Sequence, residues 1–205
     1  MLELINVSLK TRVKILDKTN YYFNSNTIYG LVAPNGSGKT TLFRAISGLY
    51  PIKQGSIKYE GKSLDNQKEK MFYLESIDWL DHHLSGKDYL FFVKGAWNSL
   101  LSMDQIIQQF NLSEFIDVPI RKYSSGMKQR LLIALYFMSD AELWLMDEIT
   151  NALDEESRLE FFALLRLACQ KEKIIIISSH YQSELEKICD RVLLLFDQKL
   201  QEVSS

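Results

Sequence analysis

A glycine-rich segment over residues 33–41 constrains this chain more than any other feature of its sequence. It reads Ala-Pro-Asn-Gly-Ser-Gly-Lys-Thr-Thr and lies between an apolar stretch, Thr27–Val32, and a helical pattern that begins at Thr41. Closely spaced glycines let the backbone wrap phosphate groups, and the following helix adds free N–H groups and the positive end of its dipole. The segment therefore predicts a loop that binds the phosphates of a nucleotide. The predicted contact residues are Asn35, Gly36, Ser37, Gly38, Lys39, Thr40 and Thr41.

Two side chains of this loop have specific predicted roles. Lys39 would reach the β- and γ-phosphates, and the Thr40 hydroxyl would ligate Mg²⁺. The usual pattern, G-x-x-x-x-G-K-[ST], has glycine where this chain has Ala33. Because alanine tolerates most backbone conformations except positive φ, we expect the loop to keep its fold with a slightly altered entry.

The composition is that of an ordinary globular chain. The 205 residues fit one compact domain, with 46% hydrophobic and 24% charged residues. The formal net charge of -2 gives no reason to expect a nucleic-acid surface. Cys169 and Cys189 have no metal-binding spacing, so we expect reduced core residues, which suits the cytosol. The apolar runs are strand-sized, so any membrane association would come through a partner.

The order of elements predicts an α/β fold. After residue 126, helical patterns alternate with short apolar strands, which favours a parallel sheet with helices on its faces and a ligand at the strands' carboxyl ends. The predicted strands after that point cover residues 143–146, 174–178 and 192–196. The predicted helices cover residues 128–137, 157–170 and 182–189.

Two adjacent carboxylates, Asp147 and Glu148, follow the apolar strand Leu143–Met146. Carboxylates at the end of a buried strand are costly without a cation, and Mg²⁺ on a nucleotide would offset that cost. Asp147 would hold the Mg²⁺, while Glu148 would orient or deprotonate the attacking water. A helix cap is the alternative interpretation of an Asp-Glu pair at this place.

Three further segments carry a family resemblance: residues 123–130 (Tyr-Ser-Ser-Gly-Met-Lys-Gln-Arg), residues 151–154 (Asn-Ala-Leu-Asp), and His180 after a strand. With the phosphate-binding loop and Asp147-Glu148, they closely resemble the ATP-binding subunits of ABC (ATP-binding cassette) proteins, in the same order and over essentially the whole chain. The resemblance implies a single P-loop NTPase domain over residues 1–205. It further implies a mainly parallel sheet, an N-terminal antiparallel β subdomain, and a helical subdomain inserted at about residues 76–122.

The resemblance also implies a composite site. The family's signature loop usually reads Leu-Ser-Gly-Gly-Gln, and it would bind the ATP of the opposite subunit in a head-to-tail dimer. Here that loop is represented by Ser124, Ser125, Gly126 and Met127. Asp154 would lie in the D-loop at the dimer seam, and His180 would be the switch histidine contacting the γ-phosphate and the water of Glu148. Ile149 stands where the family has proline.

Two features of the family are altered in this chain. The aromatic residue that stacks on adenine is replaced near position 12, where Arg12 could stack by its guanidinium plane. Glu75 stands where the family has the glutamine of the glutamine loop, and it could still ligate Mg²⁺ through water. The added negative charge would lie near the phosphates.

The helical insert is rich in aromatic residues, which could form a small core or a groove for a helix of a membrane subunit. The aromatic residues considered for these roles include Trp79, Tyr89, Phe91, Phe92 and Trp97. We expect an ATP-hydrolysing subunit at the cytoplasmic face of the membrane that drives a separate multi-span subunit, most like bacterial exporters of the ABC-2 or peptide and drug kind. The alternatives are a soluble ABC ATPase of the assembly-factor type and a regulatory module that binds ATP but hydrolyses it poorly.

Overall fold

The computed structural model describes residues 1–150, 153–179 and 182–203. The strands are β1 Leu2–Lys10, β2 Lys14–Phe23, β3 Thr27–Val32, β4 Gln54–Tyr59, β5 Lys62–Ser63, β6 Met71–Tyr73, β7 Leu143–Met146, β8 Ile174–Ser179, β9 Arg191–Phe196 and β10 Lys199–Glu202. The α-helices are α1 Lys39–Ile46, α2 Gly86–Ala96, α3 Met103–Gln109, α4 Ser125–Ser139, α5 Glu155–Cys169 and α6 Gln182–Ile188. The predicted α/β fold is confirmed.

A six-stranded sheet in the order β10-β9-β3-β8-β7-β6 forms the centre of the fold. The five strands from β9 to β6 are parallel, and β10 joins the edge as the antiparallel arm of a hairpin with β9. Its turn residues, Asp197 and Gln198, both have positive φ, which is the backbone of a tight two-residue hairpin. Because parallel strands share one polarity, β3, β6, β7 and β8 end at the same edge of the sheet.

The central strands are apolar throughout because both faces of the sheet are buried. In β8, Ile174 and Ile176 point into one hydrophobic core, and Ile175 and Ile177 point into the other. All four are at most 1% exposed. This arrangement explains why the strand is a continuous apolar run without the alternation of a half-exposed strand.

The first core is closed by α1 and by an antiparallel sheet in the order β2-β1-β4-β5. Side chains such as Leu4, Leu16 and Phe43 pack there against Leu31 and Ile176 of the central sheet. The second core lies under the helices on the opposite face. There α6 approaches β3 so closely that a Cβ at Gly30 would lie 2.9 Å from the Cβ of Leu185.

The segment between β6 and α4 is helical and holds α2, α3 and the 3₁₀ turns Ile77–Trp79 and Ile120–Lys122. Its aromatic residues divide into two groups. The Trp97 ring packs edge-on against Phe72 and donates its indole N–H to the Met71 carbonyl at 3.0 Å, and Tyr89 packs against the same core. Trp79, Phe91 and Phe92 are instead 54%, 72% and 63% exposed. Trp97 and Tyr89 therefore belong to a core, and a role of the exposed residues in binding a membrane subunit stays a prediction.

Within residues 1–150, 153–179 and 182–203, none of the helices combines the length and apolar character needed to span a membrane.

Three strands, β5, β6 and β10, were absent from the sequence prediction because their stability comes from tertiary pairing, which for the two-residue β5 is with β4. β6 has only three residues, and it is held by β7 alongside and by the packing of Phe72 on Trp97 and Tyr136. β10 has one buried residue, Leu200, so its sequence lacks a strand pattern. Helix α4 begins at Ser125, one turn before the predicted start, because Ser124 caps it.

Candidate nucleotide-binding site

The phosphate-binding loop connects β3 to α1, as the sequence predicts. Gly36 and Gly38 have φ angles of 77° and 108°, which side-chain-bearing residues rarely adopt. A Cβ at Gly38 would also lie 2.8 Å from the Ile15 side chain. Ile15 of β2 therefore fixes the loop against the antiparallel sheet, and glycine is the residue that fits there.

Lys39 begins α1 and points back into the loop. Its side chain is only 5% exposed, and its Nζ atom donates a hydrogen bond to the Ala33 carbonyl at 2.9 Å. The same ammonium lies 3.3 Å from Oε1 of Glu148. A nearly buried cation thus joins the phosphate-binding loop to the carboxylate that follows β7.

A short hydrogen-bonded cluster connects Thr40, Asp147 and Ser178. The Thr40 hydroxyl donates to one carboxylate oxygen of Asp147 at 2.5 Å, and the Ser178 hydroxyl donates to the other at 2.5 Å. Ser178 Oγ also accepts the backbone N–H of Glu148 at 3.0 Å. Since β8 lies between β3 and β7, its serine is placed to connect the residues that follow those two strands.

The backbone of Glu148 adopts a left-handed conformation with φ 50°. Such a conformation costs a residue other than glycine roughly 1–3 kcal/mol and persists only where neighbours enforce it. The Ser178 hydroxyl holds the Glu148 N–H, and the side-chain amide of Gln129 donates to the Ile149 carbonyl next to it. These two contacts hold the backbone in this conformation, in which the Glu148 carboxylate lies beside Lys39.

Glu75 follows β6 at the same edge of the sheet, and its carboxylate is bound by Arg44. The Nε and Nη2 atoms of Arg44 donate to the two oxygens of Glu75, each at 2.6 Å, and the Tyr73 hydroxyl adds a bond of 3.0 Å. The Arg44 fork holds the pKa of Glu75 below its usual value. The role of Glu75 as a metal ligand stays a prediction.

The signature residues form the start of α4. The Ser124 hydroxyl accepts the Met127 N–H at 3.2 Å, and the Ser124 N–H points to the Met127 sulfur at 3.5 Å, so Met127 completes a capping box. Ser124 and Ser125 are exposed, and a Cβ at Gly126 would meet nothing within 4 Å in the described part of the chain. The loop therefore presents its backbone to the surface.

Tyr123 stands where the family has leucine, and its contacts account for the tyrosine. Its ring is buried beside Phe115, its hydroxyl donates to the Phe115 carbonyl at 2.8 Å, and it accepts the Gly86 N–H at 3.2 Å. The hydroxyl thus satisfies backbone groups at the start of α2. Asp154 caps α5 by accepting the Ser157 N–H at 2.8 Å.

Two predicted site residues remain, Arg12 and His180, and the structure describes only the first. Arg12 is exposed in the turn between β1 and β2, three residues from the Ile15 that packs against Gly38. Its contact with a base stays a prediction. His180 lies outside the described residues, immediately after β8.

The residues of the loop fit a triphosphate with Mg²⁺. Among the described residues, the buried hydroxyl of Ser37 has no hydrogen-bond partner, so a donor remains for a ligand in the loop. The backbone at Gly36 is open, since a Cβ there would meet nothing described within 4 Å. Lys39 supplies the positive charge, and Thr40 and Asp147 supply the oxygen ligands that Mg²⁺ prefers.

Comparisons with known proteins identify the family of this chain. The sequence profile of the ABC transporter family matches residues 16–151. The uncharacterized ABC transporter ATP-binding protein YybJ of Bacillus subtilis (strain 168) is 34% identical over 200 residues, which are 94% of this chain and 91% of the relative. The cytochrome c biogenesis ATP-binding export protein CcmA of Reclinomonas americana is 31% identical over 180 residues, covering 84% of this chain and 81% of that protein.

A solved structure of the ATP-binding subunit of an ABC transporter has the same fold, with a TM-score of 0.87, 21% identity, and coverage of 100% of this chain and 90% of that chain. The fold and site thus define a P-loop nucleotide-binding protein of the ATP-binding cassette class. The chain belongs to the ABC transporter family, as an ATP-binding subunit. This confirms the family inferred from the ordered motifs.

Sequence reasoning missed three residues that shape this site: Arg44, Gln129 and Ser178. Each acts through a contact with a residue distant in sequence, namely Glu75, Ile149 and Asp147. Ser178 had one available signal, because it stands at the carboxyl end of a predicted parallel strand, where ligands bind. Gln129 matches the family's signature pattern, although its target carbonyl could not be read from the sequence.

Proposed function

We propose that this chain hydrolyses ATP as one half of a head-to-tail dimer and thereby drives a separate membrane subunit. The observation that carries the proposal is the continuous network from Lys39 through Glu148 and Ser178 to Asp147 and Thr40. It joins the phosphate-binding loop to a strained catalytic-type carboxylate. A carboxylate next to the phosphate-binding lysine is the kind of group that hydrolysis needs to activate water.

Each residue of the network has a proposed part in hydrolysis. Thr40 and Asp147 would hold Mg²⁺, Lys39 would bind the β- and γ-phosphates, and Glu148 would orient the attacking water and take its proton. Bound Mg²⁺ supplies positive charge that offsets the charge developing on the phosphate oxygens. The Lys39 ammonium lies 3.3 Å from Glu148, which supports a shared site for the phosphate-binding cation and the proposed base. His180 would contact the γ-phosphate.

The dimer is proposed from the exposed signature loop. Ser124, Ser125, Gly126 and Met127 would contact the ATP held by the opposite subunit, through the hydroxyl, the backbone N–H groups and the start of α4. Asp154 would lie at the seam, where it already fixes the start of α5. We treat residues 1–205 as one ABC ATPase domain, with a helical subdomain at about 76–122.

The membrane partner is proposed from the surface of the helical segment. Phe91 and Phe92 are both more than 60% exposed on α2, although large apolar side chains are normally buried. An apolar surface of this kind suits a cytoplasmic helix of a membrane subunit, which would place the chain at the cytoplasmic face of the membrane. Export is favoured by the relative whose name describes an export protein.

The composite site predicts a specific effect of Ser124→Arg. Introduced into a Glu148→Gln background, which should hold the ATP-bound dimer, the arginine would fill the space next to the opposite nucleotide. We expect monomeric ATP affinity within about twofold of the parent, since only the dimer contact is removed. Dimer formation with MgATP, measured by light scattering after size exclusion, should be lost.

The matched control is Ser102→Arg. Ser102 is also an exposed serine that caps a helix, accepting the Gln105 N–H at 3.4 Å at the start of α3. This variant carries the same new side chain and should dimerise like its parent. Equal dimerisation of the Ser124→Arg and Ser102→Arg proteins would refute the composite site.

A further inference from the structure

The ion pair between Arg44 and Glu75 joins helix α1 to the wall of the cleft that holds Asp147 and Glu148. Glu75 lines the same cleft as Asp147 and Glu148, and its side chain is only 16% exposed. Arg44 follows Thr40 by four residues on α1, so both side chains lie on the same face of the helix. The pair therefore stands one helical turn from the proposed metal ligand.

The geometry of the pair is more specific than a simple charge contact. Arg44 binds both oxygens of Glu75 at 2.6 Å, in the parallel fork that strengthens and orients such pairs. Tyr73 adds a third donor to the carboxylate, and the guanidinium lies 5.8 Å from the centre of the Trp79 ring. The hydrogen bonds to Glu75 raise the pKa of Arg44 above its usual value, so the guanidinium stays charged.

The charged side chains of this cleft would affect the binding of a polyanionic ligand. Four carboxylates line this cleft, those of Glu75, Asp78, Asp147 and Glu148, and Asp78 is paired with Lys128 at 3.1 Å. Lys39 lies beside Glu148, and Thr40 and Ser178 contribute neutral hydroxyls. Without a compensating cation, the Glu75 carboxylate would repel a triphosphate, and repulsion between partly buried charges is screened weakly by water.

We propose that Arg44 is a positioning residue that neutralises Glu75 and holds it against the cleft wall, so that the cleft accepts a nucleoside triphosphate despite the acidic residue. The inference rests on the proposed use of this cleft for ATP. It adds a function for a residue outside the phosphate-binding loop. It also explains how the site tolerates a glutamate at position 75, where the family has the neutral glutamine.

The test is a double-mutant cycle on ATP binding, measured by calorimetry with and without Mg²⁺. Arg44→Gln should weaken ATP binding about tenfold, because Glu75 is left as a free charge. Glu75→Gln should bind ATP without Mg²⁺ at least as tightly as the parent, and the titration with Mg²⁺ shows whether the carboxylate also contributes to metal binding. The double variant Arg44→Gln/Glu75→Gln should return to within about twofold of the parent, since both charges are gone.

The salt dependence of ATP affinity is a second test, because a purely structural role of Arg44 would not change with salt concentration. The difference between the parent and Arg44→Gln should shrink as NaCl is raised from about 50 mM to about 500 mM, because the effect is electrostatic. Arg166→Gln is the matched control. Arg166 is 45% exposed against 41% for Arg44, and it pairs with Asp190 before β9, at the opposite edge of the sheet.

The outcomes separate the two proposals. ATP binding by Arg44→Gln within twofold of the parent, or a double variant as weak as Arg44→Gln, would overturn the role of Arg44. The second result would mean that Arg44 acts on the nucleotide or the fold directly. If the parent itself fails to bind ATP, the proposed function of the cleft is refuted, and the role of Arg44 with it.

Discussion

Glu148→Gln is expected to lower ATP turnover by about 100-fold or more while ATP still binds, because the substitution removes the proposed base. The amide keeps the size of the side chain and its place after β7, so the phosphate-binding loop should be undisturbed. Without hydrolysis, the ATP-bound dimer should accumulate. Phosphate release measures the first effect, and light scattering with MgATP measures the second.

Glu142→Gln is the matched control for this prediction. Glu142 stands at the other end of β7, where it pairs with Lys70 and accepts the Tyr59 hydroxyl at 2.8 Å. The same chemical change at that end of the strand should leave turnover within about twofold of the parent, since it lies away from the carboxyl edge. Wild-type turnover by Glu148→Gln would show that another residue is the catalytic carboxylate.

Lys39→Ala is expected to weaken ATP binding by about 100-fold or more, which corresponds to roughly 3 kcal/mol. The ammonium is nearly buried, so its interaction with phosphate oxygens would be little screened. Its loss would also leave Glu148 without the cation 3.3 Å away, which adds repulsion toward the phosphates. Calorimetric titration with MgATP measures the change.

The comparison variant is Lys171→Ala, which removes an exposed lysine before β8, at the amino edge of the sheet. Its affinity for ATP should equal that of the parent. Thermal melting of both variants establishes whether they are folded. A folded Lys39→Ala protein with unchanged ATP affinity would contradict the placement of the phosphate-binding loop.

The fold could be predicted from sequence where burial itself leaves a pattern. β3, β7 and β8 are apolar runs because both faces of the central sheet are covered, and their order with the helices identifies a parallel sheet. β6 and β10 leave no such pattern, since they are short and depend on the neighbouring strand.

The same distinction applies to the candidate site, where local sequence patterns indicate some residues and only tertiary contacts indicate the others. Lys39, Thr40, Asp147 and Glu148 follow predicted strands, and the structure brings them together in one hydrogen-bonded network. The roles of Arg44 and Ser178 depend on partners 31 residues away in each case, so no local pattern reveals them.

The most direct test of the account is to isolate the tagged protein from detergent-solubilised membranes of its native host and identify what co-purifies by mass spectrometry. We expect a multi-span membrane protein to co-purify in near-equal amount. That protein should be lost from the preparation when the exposed Phe91 and Phe92 are both replaced by serine. Recovery with soluble partners alone, and absence of the protein from the membrane fraction, would contradict a transport role and favour a soluble ABC ATPase.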